Sequence, residues 1–250
     1  MDEEYPALHG SIYYNDLDAT LELLQSGVNV NEADVNGLLP LGIALQTKNC
    51  AAIRLLAEYG ADPNVRHKSD GISALHLAAG AGMEDVVKSL ISAGATIDIR
   101  MNDGRTPLAL AFNHRHIGII DLLLKHGADP NISITTECAP EDSRNMTPLL
   151  FCAAVGDTEM MGLLLRHGAD PNKGKADGIT PLMNAAGRGH YDAVKMLIDA
   201  GAQPNIAIVT DPDFPIYALQ MAEIYGHKSI SRYLRKHGAV DIVSPETLSK

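Results

Sequence analysis

The chain has 250 residues, 46% of them apolar, and a formal net charge of −11. That is ample material for a buried core. Cys50, Cys138 and Cys152 fit neither a disulfide framework nor a zinc-ligand spacing, no apolar run reaches the ~20 residues a bilayer span needs, and the acidity argues against a nucleic-acid partner.

The acidity is uneven: residues 1 to 64 hold ten Asp or Glu against two Lys or Arg. The opening "MDEEYPALHG" has no leader-like pattern. With the cysteine usage, this sets the expectation of a reducing, cytoplasmic setting.

In chain order, a helical pattern closes at Gly27, Gly60, Gly94, Gly127, Gly168, Gly201 and Gly238, at intervals of 33, 34, 33, 41, 33 and 37 residues. A second helical start lies about twenty positions before each of the internal stops, at Pro40, Ala74, Pro107, Pro148 and Pro181. Thr106, Thr147 and Thr180 are suited to cap those helices, and the Pro that follows fits a first turn, where its missing N–H bonds nothing. Ala78 and Ala79, Ala153 and Ala154, and Ala185 and Ala186 let the first helices approach closely, while stripes such as Leu122 to Leu124 and Leu163 to Leu165 give the second helices larger side chains. A final Gly in the left-handed conformation ends each second helix, beside His126, His167 or His237.

This pattern resembles the ankyrin repeat, on "SALHLAAGAGMEDVVKSLISAGATID" (73 to 98) and "DGITPLMNAAGRGHYDAVKMLIDAGAQPN" (177 to 205) above all. The resemblance implies an all-α solenoid of helix pairs with β-hairpin loops and a concave groove. It divides residues 1 to 243 into a single array of about seven units, at 2–33, 34–66, 67–100, 101–133, 142–174, 175–207 and 212–241, with 244–250 as a loose tail. The first and last units lack the Thr-Pro start and read as end caps, the last carrying Lys228, Arg232, Arg235 and Lys236. Eight extra residues fall within 131 to 147, making an extended loop at 132–146, and four more fall within 205 to 217. Lengthened loops on one face of a solenoid often bind.

Catalytic signatures are absent: there is no GxxxxGK[ST], HExxH, CxxC or GxSxG. His76 and His9 sit at the "TPLH" position, and His190 and His227 start second helices. In "NHRH" the spacing of His114 and His116 does not share one helix face, so no metal site is expected. No cofactor is expected either.

By the resemblance, contacts fall on the hairpin tips and the exposed parts of the first helices. The candidates are Val35, Asn36 and Leu38; Ser69, Asp70 and Ile72; Asn102, Asp103 and Arg105; Asn113 and His114; Glu141, Asp142, Arg144 and Met146; Asp177 and Ile179; and Arg188. One column reads Leu38, Ile72, Arg105, Met146, Ile179, and four of its five members are apolar. The expectation is a non-enzymatic chain, monomeric when free. It would bind a protein that is basic or carries an apolar anchor, in the manner of a small acidic inhibitor or immunity-type protein. An adaptor joining two proteins is the second reading. A ligand sensor or enzyme using His114, His116, Asp103 and Cys138 is the third.

Overall fold

The computed structural model describes residues 7–134, 146–175, 177–208 and 215–240. Among these, fourteen helices fall into seven consecutive pairs. They group into two compact units, residues 1–128 and 129–250.

The first unit holds α1 (Ala7–Tyr13) with α2 (Leu17–Gln25), α3 (Pro40–Gln46) with α4 (Cys50–Glu58), α5 (Ala74–Ala81) with α6 (Glu84–Ser92), and α7 (Pro107–Asn113) with α8 (Ile117–Lys125). The first helices stack in the order α1, α3, α5, α7, and the second helices in the order α2, α4, α6, α8. The second unit repeats this scheme with α9 (Pro148–Val155) and α10 (Thr158–Arg166), α11 (Pro181–Arg188) and α12 (Tyr191–Asp199), and α13 (Ala218–Ile224) and α14 (Lys228–Lys236).

The expected small-and-large layering is present. Ala78, Ala79, Ala111, Ala153, Ala185 and Ala186 are all buried, beneath fully enclosed Leu75, Leu90, Leu108, Ile120, Leu123 and Leu149. Each such leucine or isoleucine contributes roughly 1.5–3 kcal/mol by leaving water. Helices of seven to nine residues are too short to persist alone, so this packing holds them.

Local chemistry sets the helix starts. The Thr106, Thr147 and Thr180 hydroxyls accept from the N–H groups of Ala109, Leu150 and Met183, with Pro in the first turn each time. Second helices begin on a side-chain cap from Asp16, Asn49 or Asp157, on His116, His190 or His227, or, for α6, on Met83. The residue just before these starts lies in the left-handed region in every pair: Asn15, Lys48, Gly82, Arg115, Gly156, Gly189 and Gly226.

Neighbouring repeats are lashed together by two recurring side-chain contacts. In the first, Nε2 of His116, His190 and His227 faces the carbonyl of Gly80, Ala154 and Gly187 in the preceding repeat, at 3.1, 3.2 and 3.1 Å. The ring packs so closely that a Cβ on Gly82, Gly156 or Gly189 would stand 2.8, 2.6 or 2.6 Å from it. In the second, an asparagine carboxamide donates to one backbone carbonyl of the next repeat and accepts from a nearby N–H. Asn31 bridges Gly60 and Asp62, Asn64 bridges Gly94 and Thr96, Asn131 bridges Gly168 and Asp170, Asn172 bridges Gly201 and Gln203, and Asn205 bridges Gly238 and Val240.

The loops close more sparingly than full hairpins. Among the described residues the antiparallel pairing consists of isolated bridges, Arg66 with Ser73 and Ile208 with Ile216. The turns are held instead by aspartates: Asp34 accepts from Asn36 and Leu38, Asp70 from Ile72, Asp103 from Arg105, and Asp177 from Ile179. A side chain that satisfies the turn N–H leaves little for a strand ladder to add.

Candidate functional site

Many of the hairpin candidates are engaged within the protein. The Asn102 N–H donates to the Asp70 carbonyl at 2.8 Å, and its carboxamide donates to the Ser69 carbonyl at 3.1 Å. Arg66 reaches across to the Arg100 carbonyl and the Asn102 Oδ1. The Ser69 hydroxyl lies 2.9 Å and the Asp70 carboxylate 3.0 Å from His67 Nδ1. Burial pushes the Asp70 carboxyl up, but the Ile72 N–H and His67 outweigh it and hold it below the usual carboxylate range.

Asp103 and Arg105 form an ion pair at 2.7 Å, and the guanidinium likewise outweighs burial to hold the Asp103 carboxyl low. Asp177 accepts from Ile179 and pairs with Lys175 at 3.0 Å. These groups are turn-formers and repeat-to-repeat ties first.

The column Leu38, Ile72, Arg105, Met146, Ile179 is half-buried at all five positions, neither core nor open stripe. Leu38 folds back toward α3, where a Cβ on Gly42 would lie 2.9 Å from its Cδ1. The Met146 carbonyl accepts from the Ile134 N–H at 2.8 Å, anchoring the start of α9. Glu141, Asp142 and Arg144 lie outside the described residues, as does Cys138.

The freer candidates are Val35, 92% exposed at a hairpin tip, with exposed Asn36 beside it, Asn113 and His114 at the end of α7, and Arg188 at the end of α11. His114 stacks on His116 at 5.9 Å between ring centroids. His116 itself is tied to Gly80, so it joins His190 and His227 as a repeat tie. Burial pushes the His76 imidazole from 6.5 down to about 4, which keeps it neutral and hydrogen-bonded at physiological pH. Cys50 is half-buried, its thiol pushed up by that burial, and Cys152 is buried.

Further exposed apolar groups, in each unit, were not among the sequence candidates. Tyr13 and Tyr14 end α1, Phe151 and Val155 stand on α9, and Ile224 and Tyr225 end α13, exposed by 48, 76, 42, 52, 68 and 61%. The signal was present in "PLLFCAAV", a helix apolar all round: only one side of it can face the core. In the second unit a groove of about 310 Å³ lies between α11 and α13, lined by Asn184, Gly187, Arg188, Met221 and Tyr225. A larger groove of about 480 Å³ lies over α13 and α14, where Glu223 pairs with Arg235 beside Lys228 and Arg232.

A family profile described as ankyrin repeats (3 copies) matches residues 62–134 and again 134–208, more than half of the chain. The chain belongs to the ankyrin repeat family. This ankyrin repeat chain is similar to the fowlpox virus (strain NVSL) ankyrin repeat protein FPV031, 34% identical over 151 residues, which are 59% of this chain and 43% of that protein. It is similar to the B-cell lymphoma 3 protein homolog of Mus musculus, 33% identical over 119 residues, covering 47% of this chain and 26% of the relative. It is 28% identical over 209 residues to the nuclear factor NF-kappa-B p105 subunit of Gallus gallus, covering 80% of this chain and 20% of that one. The ankyrin repeat chain thus spans less than half the length of each of these curated relatives. Among solved structures it is similar to the ankyrin repeat domain of Bcl-3, described as a unique member of the IkappaB protein family, with a TM-score of 0.69, 26% identity, and coverage of 94% of this chain and 100% of that one. Ankyrin repeat arrays are protein-interaction modules, and no helix among the described residues is long and apolar enough to cross a membrane.

Proposed function

We propose that this ankyrin repeat chain acts by binding a partner protein through its hairpin tips and the exposed ends of its first helices. One observation carries the reading. Among the described residues, the four most exposed large apolar side chains, Val35, Tyr14, Ile224 and Tyr225, all belong to a hairpin tip or a first-helix end, and none to a second helix. Exposed aromatic and aliphatic groups on the same kind of element in each unit mark contact positions, because leaving them in water has a cost that binding removes. The partner is a protein that offers an apolar anchor, and an overall positive charge suits the acidic first quarter of the chain. In this reading the chain blocks or occupies its partner without catalysis. The similarity to the ankyrin repeat domain of Bcl-3 supports a protein-binding module.

A site-specific photo-crosslinker tests the surface. Introduced in turn at Val35 and Tyr225, and as controls at Lys195 and Arg166 on second helices, it should join a common protein from the native source at the first two positions only. Cross-links concentrated at Lys195 and Arg166 would reverse the assignment.

A further inference from the structure

Taking the binding surface just described as given, the groove between α11 and α13 says what kind of segment it receives. We infer that it takes one apolar side chain of a partner peptide while a neighbouring Asp or Glu carboxylate of the same peptide engages Arg188. Of the five lining residues, Asn184, Gly187, Arg188, Met221 and Tyr225, Arg188 alone is charged. Arg188 is exposed and has no ion-pair partner among the described residues, unlike Arg235 in the neighbouring groove over α13 and α14, which is paired with Glu223. An unpaired guanidinium at the edge of an apolar groove is suited to a planar two-point contact with a carboxylate.

The groove's floor and walls set the rest of the chemistry. Gly187 leaves bare backbone between Met221 and Tyr225, where a Cβ would come within 3.1 Å of Met221 Cε and 3.6 Å of Tyr225 Cδ2. The resulting space of about 310 Å³, at the small end of ligand clefts, holds a single side chain and its flanks. The Asn184 carboxamide has no hydrogen-bond partner among the described residues and can meet a peptide N–H or carbonyl. Phe151, Val155 and Ile224 extend the apolar surface on either side. The choice of carboxylate over phosphate follows from charge: one guanidinium balances one negative charge, and a chain of net −11 opposes a dianion. The local preference is therefore opposite in sign to the one the whole-chain charge suggests.

The test is a selection of displayed random dodecapeptides on the full chain, followed by fluorescence anisotropy with the synthesised winners. Enriched peptides should pair Leu, Ile, Met or Phe with Asp or Glu within one helical turn or two extended residues. Arg188→Glu should weaken them at least tenfold and should favour the same peptides with Lys in place of the acid. Gly187→Met, which fills the groove, should also weaken them at least tenfold, with circular dichroism reporting that the variant remains folded. Enrichment of basic peptides, no enrichment, or affinities indifferent to Arg188→Glu would overturn the inference. So would a phosphoserine peptide that binds tenfold tighter than its Glu counterpart. Selected peptides indifferent to both variants but cross-linked at Val35 would leave the wider binding surface standing and remove only this groove assignment.

Discussion

The imidazole of His76 is 3.1 Å from the backbone carbonyl of Arg105, a contact from one repeat to the hairpin of the next. Its other nitrogen, Nδ1, accepts from the Ser73 N–H at 3.2 Å, so the ring proton sits on Nε2 and is donated to that carbonyl. The bond at Nδ1 requires the neutral ring, whereas the Nε2 donation does not. His9 makes the corresponding contact to the Leu38 carbonyl at 3.0 Å.

A pH dependence follows, with its sign fixed by burial. In the unfolded chain His76 takes a proton near 6.5, whereas in the folded protein it does so only at about 4. Between those values the unfolded state binds more protons, so the His76 contribution to stability falls as pH drops from 6.5 toward 4 and levels off below, where protonation of Asp70 and Asp103 takes over. The gap corresponds to roughly 3 kcal/mol at about 1.4 kcal/mol per tenfold. Urea unfolding followed by circular dichroism from pH 7 to pH 4 should show this decline. His76→Gln should flatten it while lowering stability at pH 7.

Two glycines separate strain from crowding. Gly189 and Gly201 have φ of 79 and 90°, but a Cβ on Gly189 would meet the His227 ring at 2.6 Å whereas one on Gly201 meets nothing within 4 Å. Gly201→Ala should cost about 1 kcal/mol, the left-handed penalty alone. Gly189→Ala should cost about 1 kcal/mol more, because the ring must leave the Gly187 carbonyl. Equal losses in denaturant midpoint would mean that the His227 contact is slack.

Lys48 offers the reverse experiment. It occupies, at φ 52°, the left-handed position that glycine fills in the third, fifth, sixth and seventh repeats. Lys48→Gly removes a steric cost of about 1–2 kcal/mol and adds a smaller entropic one, so a gain of roughly 0.5–1 kcal/mol is expected. An unchanged or lower melting temperature would contradict this.

The asparagine ties predict a repair. In the alignment of repeats, position 98 carries Asp where positions 31, 64, 131, 172 and 205 carry Asn. An ionised carboxylate accepts hydrogen bonds but has none to give a carbonyl. Asp98→Asn supplies a donor for the Gly127 carbonyl and should stabilise the first unit by about 0.5–1 kcal/mol, while Asn64→Ala should cost about 1–2 kcal/mol. Thermal unfolding of the two variants against the parent checks both signs.

Much of the fold could be read from the sequence because its signals are local. Thr106, Thr147 and Thr180 act on N–H groups three residues away, and the stop glycines act on their own φ, so neither depends on distant contacts. The site was less legible. Asp70, Asn102 and Asp103 looked like exposed recognition groups because nothing in their spacing reveals that turns and neighbouring hairpins already engage them. His116 looked like a spare ligand because Arg115, not glycine, holds the left-handed position before it and hides its kinship with His190 and His227. Phe151 and Val155 were missed because a short, wholly apolar helix has no periodicity to say which side meets water.

The ties between repeats also govern how the chain answers force. The histidine and asparagine bonds described above reach between 29 and 40 positions along the sequence, from one helix pair to the next. A pull on a terminus therefore loads one such boundary at a time. Each rupture should set free about one period of 33 residues, roughly 110 Å of extended backbone, so that stretching yields a staircase of similar steps in place of a single break.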